Sequence, residues 1–292
     1  MSRRAALLFV ALGLIWGTPY LLIKISVEYV DPAFVVFARV ALGAAVLVPI
    51  VLARRQFRLL RGRWRWVIAF ALTEITFTFL ALTWAEQRIS SSLAALLIAS
   101  VPIVGTLLAW RFGLDAHLSR RRLLGLAIGF VGVGSLVGFD ISGGTALSIA
   151  AVGITVIGYA LGPIIIDKKL HDVPSLPVIT AALAINTIIY LPFGIWQWPT
   201  TPVPASAWAS MIVLGVLCTA VAFVALFALI GDVGAPRAQV ITYINPAVAV
   251  VLGIAVLSEP LTIGIAIGFP LVLIGSWLGT RSGPAIEAEP HP

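Results

Sequence analysis

The sequence predicts an all-α membrane protein: ten transmembrane helices in two inverted five-helix repeats around a central cavity. Three observations predict it. The first is composition. Of 292 residues, 60% are hydrophobic and 11% charged, with a mean hydropathy of +1.08. A soluble domain carries roughly 25% charged residues, so this chain lacks the polar surface to cover itself in water, and lipid is its solvent. The second is internal repetition: Pro19 recurs as Pro163, Lys24 as Lys168, Pro102 as Pro246 and Asp115 as Glu259, each 144 residues on. Gly125 and Gly132 recur as Gly268 and Gly275, with the offset slipped to 143. Each copy holds five spans, an odd number, so the second copy threads the membrane in the opposite direction, as in carriers built from inverted repeats. The third is the placement of Lys and Arg, described below.

A spanning helix needs about 20 apolar residues to cross about 30 Å of hydrocarbon. Ten segments fit: 5–27, 34–53, 66–86, 91–112, 123–138, 145–166, 176–196, 207–230, 240–257 and 262–280. The first follows Ser2-Arg3-Arg4 and resembles a signal peptide, but it is long enough to span and no small-x-small cleavage site follows it, so it reads as a retained helix. The fifth is short. The seventh and eighth share a charge-free run from Val173 to Gly231, split by Pro199, Pro202 and Pro204. Segments 5–138 and 145–280 are the two repeats, and 281–292, rich in Pro and Glu, reads as a disordered tail.

Orientation follows from the basic residues. With the N-terminus inside, sixteen Lys and Arg fall in inside segments, among them Arg54, Arg55, Arg58, Arg61, Arg63, Arg65, Arg120, Arg121, Arg122, Lys168 and Lys169. Only Lys24 and Arg88 fall outside, while Arg39 lies within a span. This is a strong positive-inside bias, and it places both termini in the cytoplasm. The net charge of +7 belongs to these loops rather than to nucleic-acid binding. The lone cysteine, Cys218, excludes an intrachain disulfide.

The candidate functional residues are the polar and aromatic groups at membrane depth. Glu74 is the only charge of the third span apart from Glu86 at its end. Such a group faces a cavity or a partner. It reads either as a substrate-ammonium or proton site, or as a neutral carboxyl hydrogen-bonded within the bundle. Trp16 and Tyr20 share a face one turn apart, Phe77 is one turn from Glu74, and Tyr159 precedes Pro163 by one turn. Tyr243 and Asn245 flank the start of the ninth helix at Pro246. With Thr78, Ser100 and Pro163, these residues suit a mostly apolar site for a small amphipathic solute. Trp64, Trp66, Trp196, Trp198 and Trp208 lie near span ends and read as interface anchors. Arg39 can bind a carboxylate, but the favoured reading is structural, by snorkelling or by pairing with Asp31 or Glu86. Lys24 and Lys168 read as helix-end anchors. Pro19, Pro102, Pro163 and Pro246 each free a backbone carbonyl and read as hinges. The GxxxG pairs Gly13/Gly17, Gly125/Gly129, Gly158/Gly162 and Gly264/Gly268 read as packing.

Several motifs carry a resemblance. Leu14-Ile15-Trp16-Gly17-Thr18, then Ala94-Ala95-Leu96-Leu97 followed by Pro102, then Pro246-Ala247-Val248-Ala249 and Ser258-Glu259-Pro260-Leu261-Thr262 occur in order over about 5–280. In these the chain resembles the drug/metabolite transporter superfamily, in its ten-helix EamA-type branch. It departs where Val40 follows Arg39 and where Leu114-Asp115 stands for Gly-Glu. The likeness within the branch is to exporters of aromatic and other neutral amino acids. It implies a multi-pass carrier of the cytoplasmic (inner) membrane, working by alternating access on a small-molecule substrate, with the lipid bilayer as its surroundings and a monomer as the expected state. Export of drugs or other metabolites, nucleoside-like or cationic, is the alternative, and a channel a remoter one.

Enzyme chemistry has little to work with. His117, His171 and His291 lie in loops or the tail, and there are no paired intramembrane carboxylates, no metal-ligand spacing and no phosphate loop. No cofactor or metal is expected, and the absence of a nucleotide motif makes transport secondary or facilitative.

Overall fold

The computed structural model describes residues 2–113, 120–140, 145–234 and 238–280. Asp115, His117, Arg237, Arg281 and the tail to Pro292 lie outside the described residues. Among the described residues the regular structure is entirely helical: α1 (Arg3–Val27), α2 (Pro32–Ala53), α3 (Trp64–Ala85), α4 (Ser91–Arg111), α5 (Arg120–Asp140), α6 (Ala146–Leu170), α7 (Ser175–Trp196), α8 (Ala205–Val233), α9 (Ile241–Leu257) and α10 (Ile263–Thr280). Seven of these, all but α5, α9 and α10, are long and apolar enough to cross a membrane. The chain is a multi-pass membrane protein. Large apolar side chains such as Leu7, Leu147, Ile188 and Ile195 remain exposed along the helices, which is tolerable in hydrocarbon.

Local sequence explains the helix ends. Ser2 and Ser90 cap α1 and α4, their hydroxyls each accepting an amide three residues on, at 3.1 Å. Pro32 opens α2, where its missing N–H costs nothing. The fifth span, expected to be short at 123–138, forms a 21-residue helix from Arg120 to Asp140. Hydropathy stops at the arginines, but Arg is a good helix former and extends the first turn.

Two of the helices are interrupted at equivalent places by π-helical turns, Leu72–Thr76 in α3 and Val216–Val221 in α8. Both begin 144 residues apart. A second matched interruption precedes the repeated prolines. Helix α4 breaks at Ala99–Ser100 before Pro102, and α9 opens with a 3₁₀ turn, Gln239–Tyr243, before Pro246.

The packing pairs helices across the two halves. The α5–α10, α2–α7 and α4–α9 pairs each join a helix to its own repeat copy. Six more come in twos: α3–α6 with α1–α8, α1–α9 with α4–α6, and α2–α8 with α3–α7. Exchanging the halves maps these nine pairs onto themselves, whereas the α4–α10 packing lacks a counterpart of that extent among the described residues. The α5–α10 seam is backbone against backbone. A Cβ on Gly275 would strike the Gly129 backbone, and one on Gly132 would strike Val272. The three buried apolar clusters all draw on both halves.

Glycines also separate the two copies. Gly13 and Gly17 of α1 abut Ile244 and Val248 of α9, whereas Gly158 and Gly162 of α6 abut Thr73, Glu74 and Thr78 of α3. The second pair is displaced by 145 residues, not 144, which turns it about 100° round its helix and gives it a different neighbour. Polar links at the helix ends are few. Lys24 Nζ donates to the carbonyls of Glu86 and Ile89, at 2.7 and 3.0 Å, and Lys168 Nζ to the carbonyl of Phe112 at 2.6 Å. Both expected anchors thus clasp a neighbouring helix end. Arg63 donates to Asp172 between the α2–α3 and α6–α7 connections, and this bond holds the Asp172 carboxyl below its ordinary range.

Candidate functional site

The π turn of α3 fixes the first part of the site. An i→i+5 turn frees a carbonyl, here that of Ala71, and such turns often mark functional positions. Helix α7 supplies the missing bonds. Asn186 Nδ2 donates to the Ala71 carbonyl at 3.2 Å, its Oδ1 accepts from the Thr76 hydroxyl at 2.6 Å, and Tyr190 donates to the Thr76 carbonyl at 2.6 Å. Glu74 lies within this turn and presses against Gly162 of α6. Its Oε2 is enclosed and has no hydrogen-bond partner among the described residues. The reading of Glu74 as a carboxyl bonded within the bundle is therefore not what the geometry gives.

The equivalent π turn of α8 holds the opposite wall. The Thr219 hydroxyl donates to the Leu214 carbonyl at 2.8 Å, five residues back. Trp16 Nε1 donates to the Cys218 carbonyl at 3.2 Å, and the Thr18 hydroxyl lies 3.5 Å from Cys218 Sγ. The Trp16 ring meets Phe223 edge-on, with centroids 5.9 Å apart. Tyr20, buried on α1, is within electrostatic reach of Tyr159 on α6, and Tyr159 of Glu74. Tyr159 of α6 thus stands between Tyr20 of α1 and Glu74 of α3, while Trp16, one turn from Tyr20, is held against the π turn of α8.

Arg39 corrects a sequence expectation. It neither snorkels nor pairs with Asp31 or Glu86. The residue is 8% exposed, its Nε donates to Thr219 Oγ1 at 3.1 Å, and its guanidinium lies 3.9 Å from the Phe79 ring centroid. The depth of a side chain depends on which partner it finds, and Thr219 is 180 residues further along the chain.

The remaining candidates divide. Thr78 is fully buried and donates to the Glu74 carbonyl at 2.5 Å, while its own carbonyl accepts from Thr155 of α6 at 3.1 Å. It joins α3 to α6. Ser100 sits at the α4 break and donates to Leu97 at 2.6 Å. There Ser276 of α10 donates to the carbonyl of neighbouring Ala99 at 3.0 Å, and Tyr243 donates to the Ser276 carbonyl at 3.2 Å, so Tyr243 is linked through α10 to the break beside Ser100. Asn245, oriented to satisfy its neighbours, donates to the carbonyls of Ile241 and Gly13 and joins α9 to α1. Phe77 is 57% exposed, and Pro163 is exposed within a continuous helix. Neither is drawn into the cluster. Pro19, Pro102 and Pro246 instead stand at the start of a new helical segment. A surface depression of about 560 Å³, lined by Val27, Asp31, Gln87 and Trp198 among others, contains none of the candidates.

Thr219, Asn186 and Tyr190 were missed by the sequence reading. Asn186 had a signal: an amide at membrane depth, with a tyrosine one turn on, is a group that must find a partner.

The chain belongs to the EamA-like transporter family, whose sequence pattern matches residues 3–138 and again 146–281. This bears out the resemblance to the drug/metabolite transporter superfamily. The chain is 26% identical to the uncharacterized transporter YvbV of Bacillus subtilis, over 98% of this chain and 95% of that one. It is 25% identical to the uncharacterized inner membrane transporter YedA of Escherichia coli K12, over 86% of this chain and 82% of that one. A chain of known crystal structure superposes with a TM-score of 0.67 at 19% identity, covering 94% of this chain and 96% of that one, which is a likeness of fold.

Proposed function

We propose that this membrane transporter is a secondary or facilitative exporter of small neutral solutes, aromatic and other amino acids among them. In this reading ten helices form two inverted repeats and work by alternating access, with both termini in the cytoplasm. The observation that carries it is that Tyr159 of the second half lies within electrostatic reach of Tyr20 and Glu74 of the first, with Trp16 bonded to the α8 turn beside them. Rings at this depth supply apolar contact, and hydroxyl and carboxyl groups supply orientation. The buried cation Arg39 and the carboxyl Glu74 each lie within electrostatic reach of Tyr159, which favours a solute whose own charges sum to zero. The matched π turns and the exchange symmetry of the helix contacts support the inverted repeats. The helix restarts at Pro19, Pro102 and Pro246 support hinge roles, whereas Pro163, in an unbroken helix, has only its repeat position in favour of one.

A second reading, export of cationic aromatic drugs or metabolites, is favoured by the unpartnered Oε2 of Glu74 within electrostatic reach of Tyr159. Purified protein in liposomes separates the two. Counterflow of labelled phenylalanine, threonine and methionine is expected. A protein that ignores all three and carries a nucleoside or a cationic drug overturns the amino-acid reading.

A further inference from the structure

We propose that Arg39 is the subsite for the carboxylate of the transported solute. The proposal rests on the carrier reading and deepens it, because it assigns a chemical class to one part of the site. Arg39 is nine-tenths buried. Its Nε bond to Thr219 and its stacking on Phe79 fix the plane of the guanidinium from two sides, one on α8 and one on α3. Those contacts use one of the five N–H donors. Neither Nη group has a hydrogen-bond or ion-pair partner among the described residues, and neither is sealed off. A guanidinium fork held in one plane with four donors unused matches the two oxygens of a carboxylate.

The surroundings argue for an incoming anion. Glu86 is within electrostatic reach of Arg39 but forms no ion pair with it, and its own two oxygens are enclosed and without partners. Thus the protein buries a cation without bringing its counter-charge into contact. A buried charge left this way is costly, and a ligand carboxylate removes that cost. Tyr20 and Tyr159 are both within electrostatic reach of Arg39, so the subsite adjoins the aromatic cluster. A solute carrying a carboxylate beside an aromatic or apolar side chain fits both.

The test compares binding of phenylalanine, 3-phenylpropionate and phenylalaninamide to purified protein in nanodiscs. Phenylalanine and 3-phenylpropionate keep the carboxylate, and the amide lacks it. The wild-type protein is expected to bind both acids about tenfold or more tightly than the amide, as a charge-assisted fork contact implies. Arg39→Gln should bind acid and amide alike while keeping its melting profile, and Arg39→Lys should fall between. If the wild-type protein does not distinguish acid from amide, or binds none of the three, the subsite is wrong. A folded Arg39→Gln that still prefers the acids also overturns it. The two readings fail separately. Transport of amino acids with no acid-over-amide preference removes the subsite alone, whereas binding of 3-phenylpropionate without transport of any amino acid removes the amino-acid reading alone.

Discussion

Glu74 is held by shape rather than by bonds. The π turn aims it at α6, and only a glycine at position 162 leaves room for its carboxyl. Its unpartnered Oε2 carries the desolvation cost of a buried polar atom, about 1–3 kcal/mol. Glu74→Gln keeps the volume and removes the ionisable group. We expect the variant to fold with a melting temperature close to wild type while liposome uptake falls about tenfold, the effect of losing about 1.4 kcal/mol at the site. Unchanged uptake would remove Glu74 from the site. This residue was legible in the sequence because a lone carboxyl in an apolar span has few innocent explanations. Arg39 was visible, but its partners were not. Distance from a helix end suggests snorkelling, and nothing local reveals that Thr219 and Phe79 hold the side chain inward.

Among the elements, α5 and α10 make the closest approach. At Gly275 an added side chain meets the backbone of Gly125 and Gly129, which cannot give way as a flexible side chain can. Gly275→Val should therefore cost more than the usual 1–3 kcal/mol of overpacking and appear as aggregated protein in size-exclusion chromatography. Gly134→Ala on the same helix meets nothing within 4 Å. It should raise stability by about 0.5–1 kcal/mol through helix propensity, read by thermal melts in detergent. Equal tolerance at both positions would mean that the seam is not packed as described. The spacing of these glycines was readable, as were the repeated prolines. The π turns were not, because an i→i+5 register leaves no hydrophobic period of its own. Pro163 shows the limit of reading by repeat: it shares an offset with Pro19, yet its helix runs on while α1 restarts.

For the whole molecule, the sixteen-to-two distribution of Lys and Arg makes the topology testable. In a Cys218→Ala background, Thr200→Cys should react with an impermeant thiol reagent on intact cells, and Arg58→Cys only after permeabilisation. Both positions are exposed, whereas neighbouring Leu60 is fully buried and would mislead. The opposite labelling pattern would invert the topology. The helical membrane class and the doubled family pattern were legible because composition and repetition act over the whole chain. The partners of individual polar groups were not, since most lie in the other half.

That last feature governs how the protein is made. Trp16 waits for the carbonyl of Cys218, 202 residues later, and Arg39 for the hydroxyl of Thr219, 180 residues later. At roughly 5–20 residues per second of synthesis, the emerging first half spends roughly 10–40 s in the bilayer with its polar groups unmet. None of the three apolar clusters can close in that interval. The first five helices are therefore a client of whatever shelters half-made membrane proteins, and the two halves reach their fold together or not at all.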